Sequence, residues 1–154
     1  MSISSERPLY NTYILDESTK LKDAGAVAAS AAAQVDAADQ ILNVGTGKIK
    51  AVVVIDATAV EVDSGDELYT IIAEFSNTDD FSGDVAVGAM QYLGDASAIP
   101  GGGNIDLVEG RYALHVTNVI NDVHYEYMRL YTVVEGTIAT GIDYVANLTS
   151  VSGV

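Results

Sequence analysis

Two groups of carboxylates lie close together along the chain, Asp63, Asp66 and Glu67 in one and Asp79, Asp80 and Asp84 in the other. Oxygen ligands of this kind are what Ca²⁺ takes, but neither group has the spacing of an EF-hand loop. With 22 Asp and Glu against 7 Lys and Arg, acidic turns are expected without any bound cation. His115 and His124 are the only imidazoles and share no ligand signature. A serine nucleophile would sit in a G-x-S-x-G elbow, and the chain has none. Carboxylate pairs for glycoside hydrolysis could be picked in many ways, and nothing selects one. Gly45-Thr46-Gly47-Lys48 looks like part of a phosphate loop. It lacks the first glycine of the motif, has Ile49 where Ser or Thr is needed, and leads into a strand-like run instead of a helix. A hairpin turn is the simpler reading. The chain has no Cys, which removes thiolate chemistry and Cys-based zinc sites. The expectation is a protein that is not an enzyme and carries no cofactor or metal.

Contact chemistry is better represented. At the two-residue period of a strand, Tyr125, Tyr127, Arg129, Tyr131 and Val133 share one face, with Met128, Leu130 and Thr132 on the other. Tyr buries a large area at small entropic cost and Arg adds directed hydrogen bonds, so both types are enriched at protein interfaces. A core strand with Arg129 reaching outward explains the same spacing equally well. Tyr10 and Tyr13 add two aromatic anchors near the N-terminus.

These residues need strands to position them. Apolar–polar alternation bounded by Gly, Asp and Ser predicts strands over 41–44, 48–56, 59–62, 67–76, 84–92, 111–119, 123–134 and 143–151. In 111–119, Tyr112, Leu114 and Val116 face one way and Arg111, His115 and Thr117 the other. Residues 1–23 are polar and aperiodic and predict an extended arm. Residues 24–39 are Ala-rich, which suits a short helix or an extended segment equally. The glycine-rich loop 94–110 is predicted to be exposed and mobile. The fold class expected is all-β: an antiparallel β-sandwich, of jelly-roll type, over residues 41–154, preceded by an arm over 1–40 that includes the Ala-rich segment. An up-and-down barrel is the rival.

A formal net charge of −15 repels phosphate backbones and anionic lipid, so no direct contact with nucleic acid or membrane is expected. No apolar run reaches the length of a membrane span, and the first residues lack the blocks of a secretory signal. Asn147-Leu148-Thr149 matches a glycosylation acceptor only by chance.

The segments Ile41-Leu42-Asn43-Val44-Gly45-Thr46-Gly47, Ser64-Gly65-Asp66-Glu67-Leu68-Tyr69, Gly110-Arg111-Tyr112 and Tyr127-Met128-Arg129-Leu130-Tyr131 with Gly136-Thr137 carry a resemblance. In them the chain resembles the capsid decoration, or cement, proteins of tailed bacteriophages. The resemblance implies a jelly-roll body on the outer surface of an icosahedral virion, a homotrimer that bridges neighbouring major capsid proteins, and an N-terminal clamp. A tail or receptor-binding module that holds carbohydrate is the alternative. Tyr10, Tyr13, Tyr125, Tyr127, Arg129 and Tyr131 are the candidate interface residues.

Overall fold

Alternating Val, Ile, Tyr and Thr favour extended backbone over most of this chain, and the computed structural model, which describes residues 15–96, 102–103 and 106–149, is all-β. The strands are β1 (Lys20–Lys22), β2 (Ala26–Val27), β3 (Ala31–Ala32), β4 (Gln34–Val35), β5 (Ala38–Asp39), β6 (Leu42–Asn43) and β7 (Lys50–Val60), followed by β8 (Leu68–Ser76), β9 (Val85–Gly94), β10 (Gly110–Thr117), β11 (Val119–Ile120), β12 (Val123–His124), β13 (Tyr127–Glu135) and β14 (Ile142–Thr149). All pair antiparallel. The first sheet runs β1–β14–β7–β10, with β2 also on β14; the second runs β3–β13–β8–β9, with β6 also on β13. Two small hairpins, β4–β5 and β11–β12, stand apart from them.

Both sheets feed one apolar cluster. Val53, Ile55, Leu114 and Tyr144 of the first sheet belong to the same buried set as Tyr69, Ile71, Phe75 and Leu130 of the second. Buried polar groups in it are paired: the Tyr144 hydroxyl lies 2.7 Å from Thr132 Oγ1, and burial pushes its pKa up. Tyr69 donates to the Glu61 carbonyl, and burial, reinforced by the charges of Glu61 and Glu67, lifts its hydroxyl to about 12.

Carboxylates build the turns. Glu61 accepts the backbone N–H groups of Ala139, Thr140 and Gly141, the last at 2.6 Å, while Asp66 accepts the N–H and hydroxyl of Thr137. Together they fasten the β13–β14 turn. Gly141 there has φ +87, and a Cβ on it would overlap the Val27 carbonyl, so the position needs glycine.

One open choice is decided and several expectations are corrected. Of the two readings of the Ala-rich segment the extended one holds: tertiary pairing overrides alanine's helix propensity, and residues 26–39 form β2 to β5, with a tight β4–β5 turn at Asp36 and Ala37, φ 52 and 62. Of the expected arm, residues 20–22 are not free but pair with β14; Leu21 is wholly buried, and Lys22 donates to the carbonyls of Asp23, Gly25 and Tyr144. That burial lowers the Lys22 pKa. Residues 59–62 form no separate strand, because β7 runs unbroken through Val60. Gly45–Gly47 is not a hairpin turn, since β6 and β7 belong to different sheets. Asn118 pins that loop, accepting from Ile49 N and donating to Gly47 O.

Candidate functional site

The outer face of the second sheet is built from alternate residues of its longest strands. Register sets Tyr127 beside Ser76, Arg129 beside Glu74, Tyr131 beside Ile72 and Val133 beside Thr70. β9 continues the same rows with Val85, Val87, Met90 and Tyr92. The opposite residues, Met128, Leu130, Phe75 and Ile71, fill the core. Val85, Val87 and Met90 are 42%, 46% and 47% exposed, which leaves a continuous apolar lane open along β9. At one end Tyr92 packs with Leu68 and Ala96 into a small apolar cluster of its own.

One ion pair crosses this face. Arg129 Nε donates to Glu74 Oε2 at 2.7 Å, and its guanidinium lies 4.3 Å from the centre of the buried Phe81 ring and 5.5 Å from that of Tyr131. Such stacking fixes a planar guanidinium that lysine could not replace.

β9 is also an edge strand, and its sequence from Val85 to Gly94 carries no charge. The other long edge, β10, carries Arg111, held to Asp56 at 2.6 and 2.9 Å, and the exposed His115. Charged side chains are a common block against edge-to-edge association, and β9 lacks them. The outer face of the first sheet differs as well. Val52 and Val54 point away from the core on β7 and are nevertheless only 0% and 1% exposed. Asn147 beside Val54 is buried too and donates to the Asp16 carbonyl, from the turn that precedes β1.

The structure gathers Tyr127, Arg129 and Tyr131 in one outer row, as the spacing requires. Tyr125 is not in it: its backbone N and O both bond to Asn118, which draws it out of the ladder and onto the core cluster. Tyr10 and Tyr13 lie outside the described residues, as do residues 97–101 and 104–105 of the loop 94–110. Sequence reasoning missed the β9 lane. Its signal was present as a ten-residue run without charge, but alternation alone does not tell which of two apolar faces is covered.

The chemistry-bearing residues are occupied locally. Glu67, buried, accepts from Ser64 N and Asp66 N, and Asp80 accepts from Ser82 N and Oγ, bonds that hold its pKa down. Among the described residues no group of His, Asp and Glu has metal-site geometry, and no helix is long and apolar enough to cross a membrane. His124 Nε2 lies 3.0 Å from the Gly47 carbonyl, and His115 is exposed on β10. A groove of about 470 Å³ runs along Lys22, Gly25, Ala28 and Ala32, lined mostly by Ala and Gly. Neither a protein-family model nor a curated protein matches the sequence.

Proposed function

We propose that the chain is a structural virion protein, not an enzyme: a jelly-roll sandwich that decorates the outer surface of a tailed-phage icosahedral shell as a homotrimer and cements contacts between major capsid proteins. Strand pairing supports the jelly roll. Taking β1, β3, β7, β8, β9, β10, β13 and β14 as eight strands in chain order, the first pairs with the last, the second with the seventh, the third with the sixth and the fourth with the fifth. One long antiparallel ribbon wrapped into two sheets has this nesting. The shared core supports stacking of the two sheets.

The observation that carries the functional reading is the open apolar lane on β9, set on a body of net charge −15. It is a surface for contact, and the acidity keeps many copies soluble at high local concentration. Modest contacts repeated by a trimer over several shell subunits add through multivalency, and closed symmetry limits further growth. The segment before β1 serves as the clamp in this reading. The carbohydrate-binding alternative finds no aromatic platform among the described residues that line the groove.

Quantitative mass spectrometry of washed particles tests the proposal through copy number relative to the major capsid protein. A decoration protein gives on the order of hundreds of copies per particle, as icosahedral repetition requires. A handful of copies moves the chain to the tail, and absence from particles refutes the reading.

A further inference from the structure

The β9 edge and the lane beside it present unused backbone and unused apolar surface together. Among the described residues two groups meet the β9 backbone outside the β8 ladder: the Gln91 side-chain amide, which donates to the Tyr92 carbonyl at 2.9 Å, and Leu107, whose C=O and N–H pair with Gly94 at 2.7 and 3.0 Å. That short bridge shows that the edge accepts a strand, and Leu107 and Val108 extend the apolar surface there, both exposed. β10, the adjacent edge of the other sheet, forms no ladder with β9. The strand is bracketed by carboxylates, Asp84 before it and Asp95 after it.

We infer that β9 is the docking edge for an extended segment of another protein, apolar at alternate positions and flanked by Lys or Arg. Charge excludes a second copy of this chain as the occupant. Antiparallel pairing of two β9 strands sets Asp84 of one copy beside Asp95 of the other at both ends, and parallel pairing sets like residues together. Either arrangement sets carboxylates against each other at both ends of the strand. A basic-flanked segment turns the same carboxylates into attraction, while main-chain bonds supply affinity and the Val85, Val87 and Met90 row supplies side-chain contact. The identity of the partner as a shell protein rests on the function proposed above; the chemistry of the edge does not.

The test uses the full chain in two assays. In the first, a nine-residue alternating Val/Thr peptide flanked by two lysines, or by two glutamates, is titrated while amide resonances are followed. The lysine peptide is expected to shift β9 amides and the glutamate peptide to leave them unchanged; equal response to both, or shifts that map elsewhere, overturns the inference. In the second, undecorated shells are titrated with wild type, Val87→Asp, the double variant Asp84→Lys with Asp95→Lys, and Ala113→Asp on the opposite sheet. The first two variants are expected to lose about tenfold or more in affinity and the third to match wild type. Wild-type binding with no loss in the first two overturns the docking edge but keeps the decoration role. Failure of wild type to bind, with the peptide result intact, overturns the decoration role alone. Thermal unfolding of each variant separates lost binding from lost fold, and a sedimentation mass that falls in Val87→Asp relative to wild type marks the face as a self-contact and refutes the inference.

Discussion

The outer faces of the two sheets solve the same problem differently. Each puts valines on the side away from the core, but on β7 Val52 and Val54 are sealed, whereas on β9 Val85, Val87 and Met90 stay open. The sealed face has a charged residue, Arg111, on its edge strand, and the edge strand of the open face has none. Apolar residues on an outer face are therefore not one kind of signal: the first group contributes to stability, and the second is available to a partner.

The sharpest way to break this contrast is one substitution made twice. Val54→Asp places a carboxylate in a site without water or partner and is expected to cost about 4 kcal/mol or more, enough to unfold a marginal domain. Val87→Asp is expected to cost less than about 1 kcal/mol. Chemical denaturation compares them, and similar losses at both sites would dissolve the distinction. Next in size is Phe81→Ala, which removes the ring beneath Arg129 and is expected to cost about 2 kcal/mol while loosening the Arg129–Glu74 pair. Isothermal denaturation together with the Arg129 side-chain resonance reads both effects.

A smaller effect comes from the turn that ties the sheets together. The N–H of Gly141 foremost, with those of Thr140 and Ala139, holds the Glu61 carboxyl below its usual 4.5, although partial desolvation opposes them. A depressed folded value means the stabilisation is complete above the ordinary carboxylate pKa and is lost as pH falls through the depressed one. Wild type is expected to lose stability below about pH 4.5 more steeply than Glu61→Gln, and parallel melting curves for the two would reject this role. Smallest is Arg111→Ala: its pair with Asp56 is largely in solvent and is expected to contribute about 0.5 kcal/mol, less still in high salt.

Legibility followed side-chain size. β8, β9, β10, β13 and β14 were readable, and β7 in two pieces, because Val, Ile, Leu and Tyr alternate with polar residues, and the two faces of β10 and β13 lie as that alternation requires; the short β11–β12 hairpin was not set apart from its neighbours. β1 to β5 were not, since alanine gives no apolar period and the β4–β5 turn uses Ala37 at φ 62, where an Asn-Gly signal would have announced it. The row of Tyr127, Arg129 and Tyr131 was legible at the level of spacing. Its partners Glu74 and Phe81 come from segments 46 or more residues away and follow from pairing, which no local pattern contains.

The nested pairing also sets a timetable. β14 lies between β1 and β7, and β13 between β3 and β8, so each sheet is missing an interior member until β13 and β14 have been made. Lys20 meets Asn147 only after more than a hundred further residues have followed it. A nascent chain thus emerges with β7, β8 and β9 already made and no way to close around them. Its assembly is expected to be slow, as for other folds dominated by distant contacts, and the uncharged β9 segment needs guarding most during that wait.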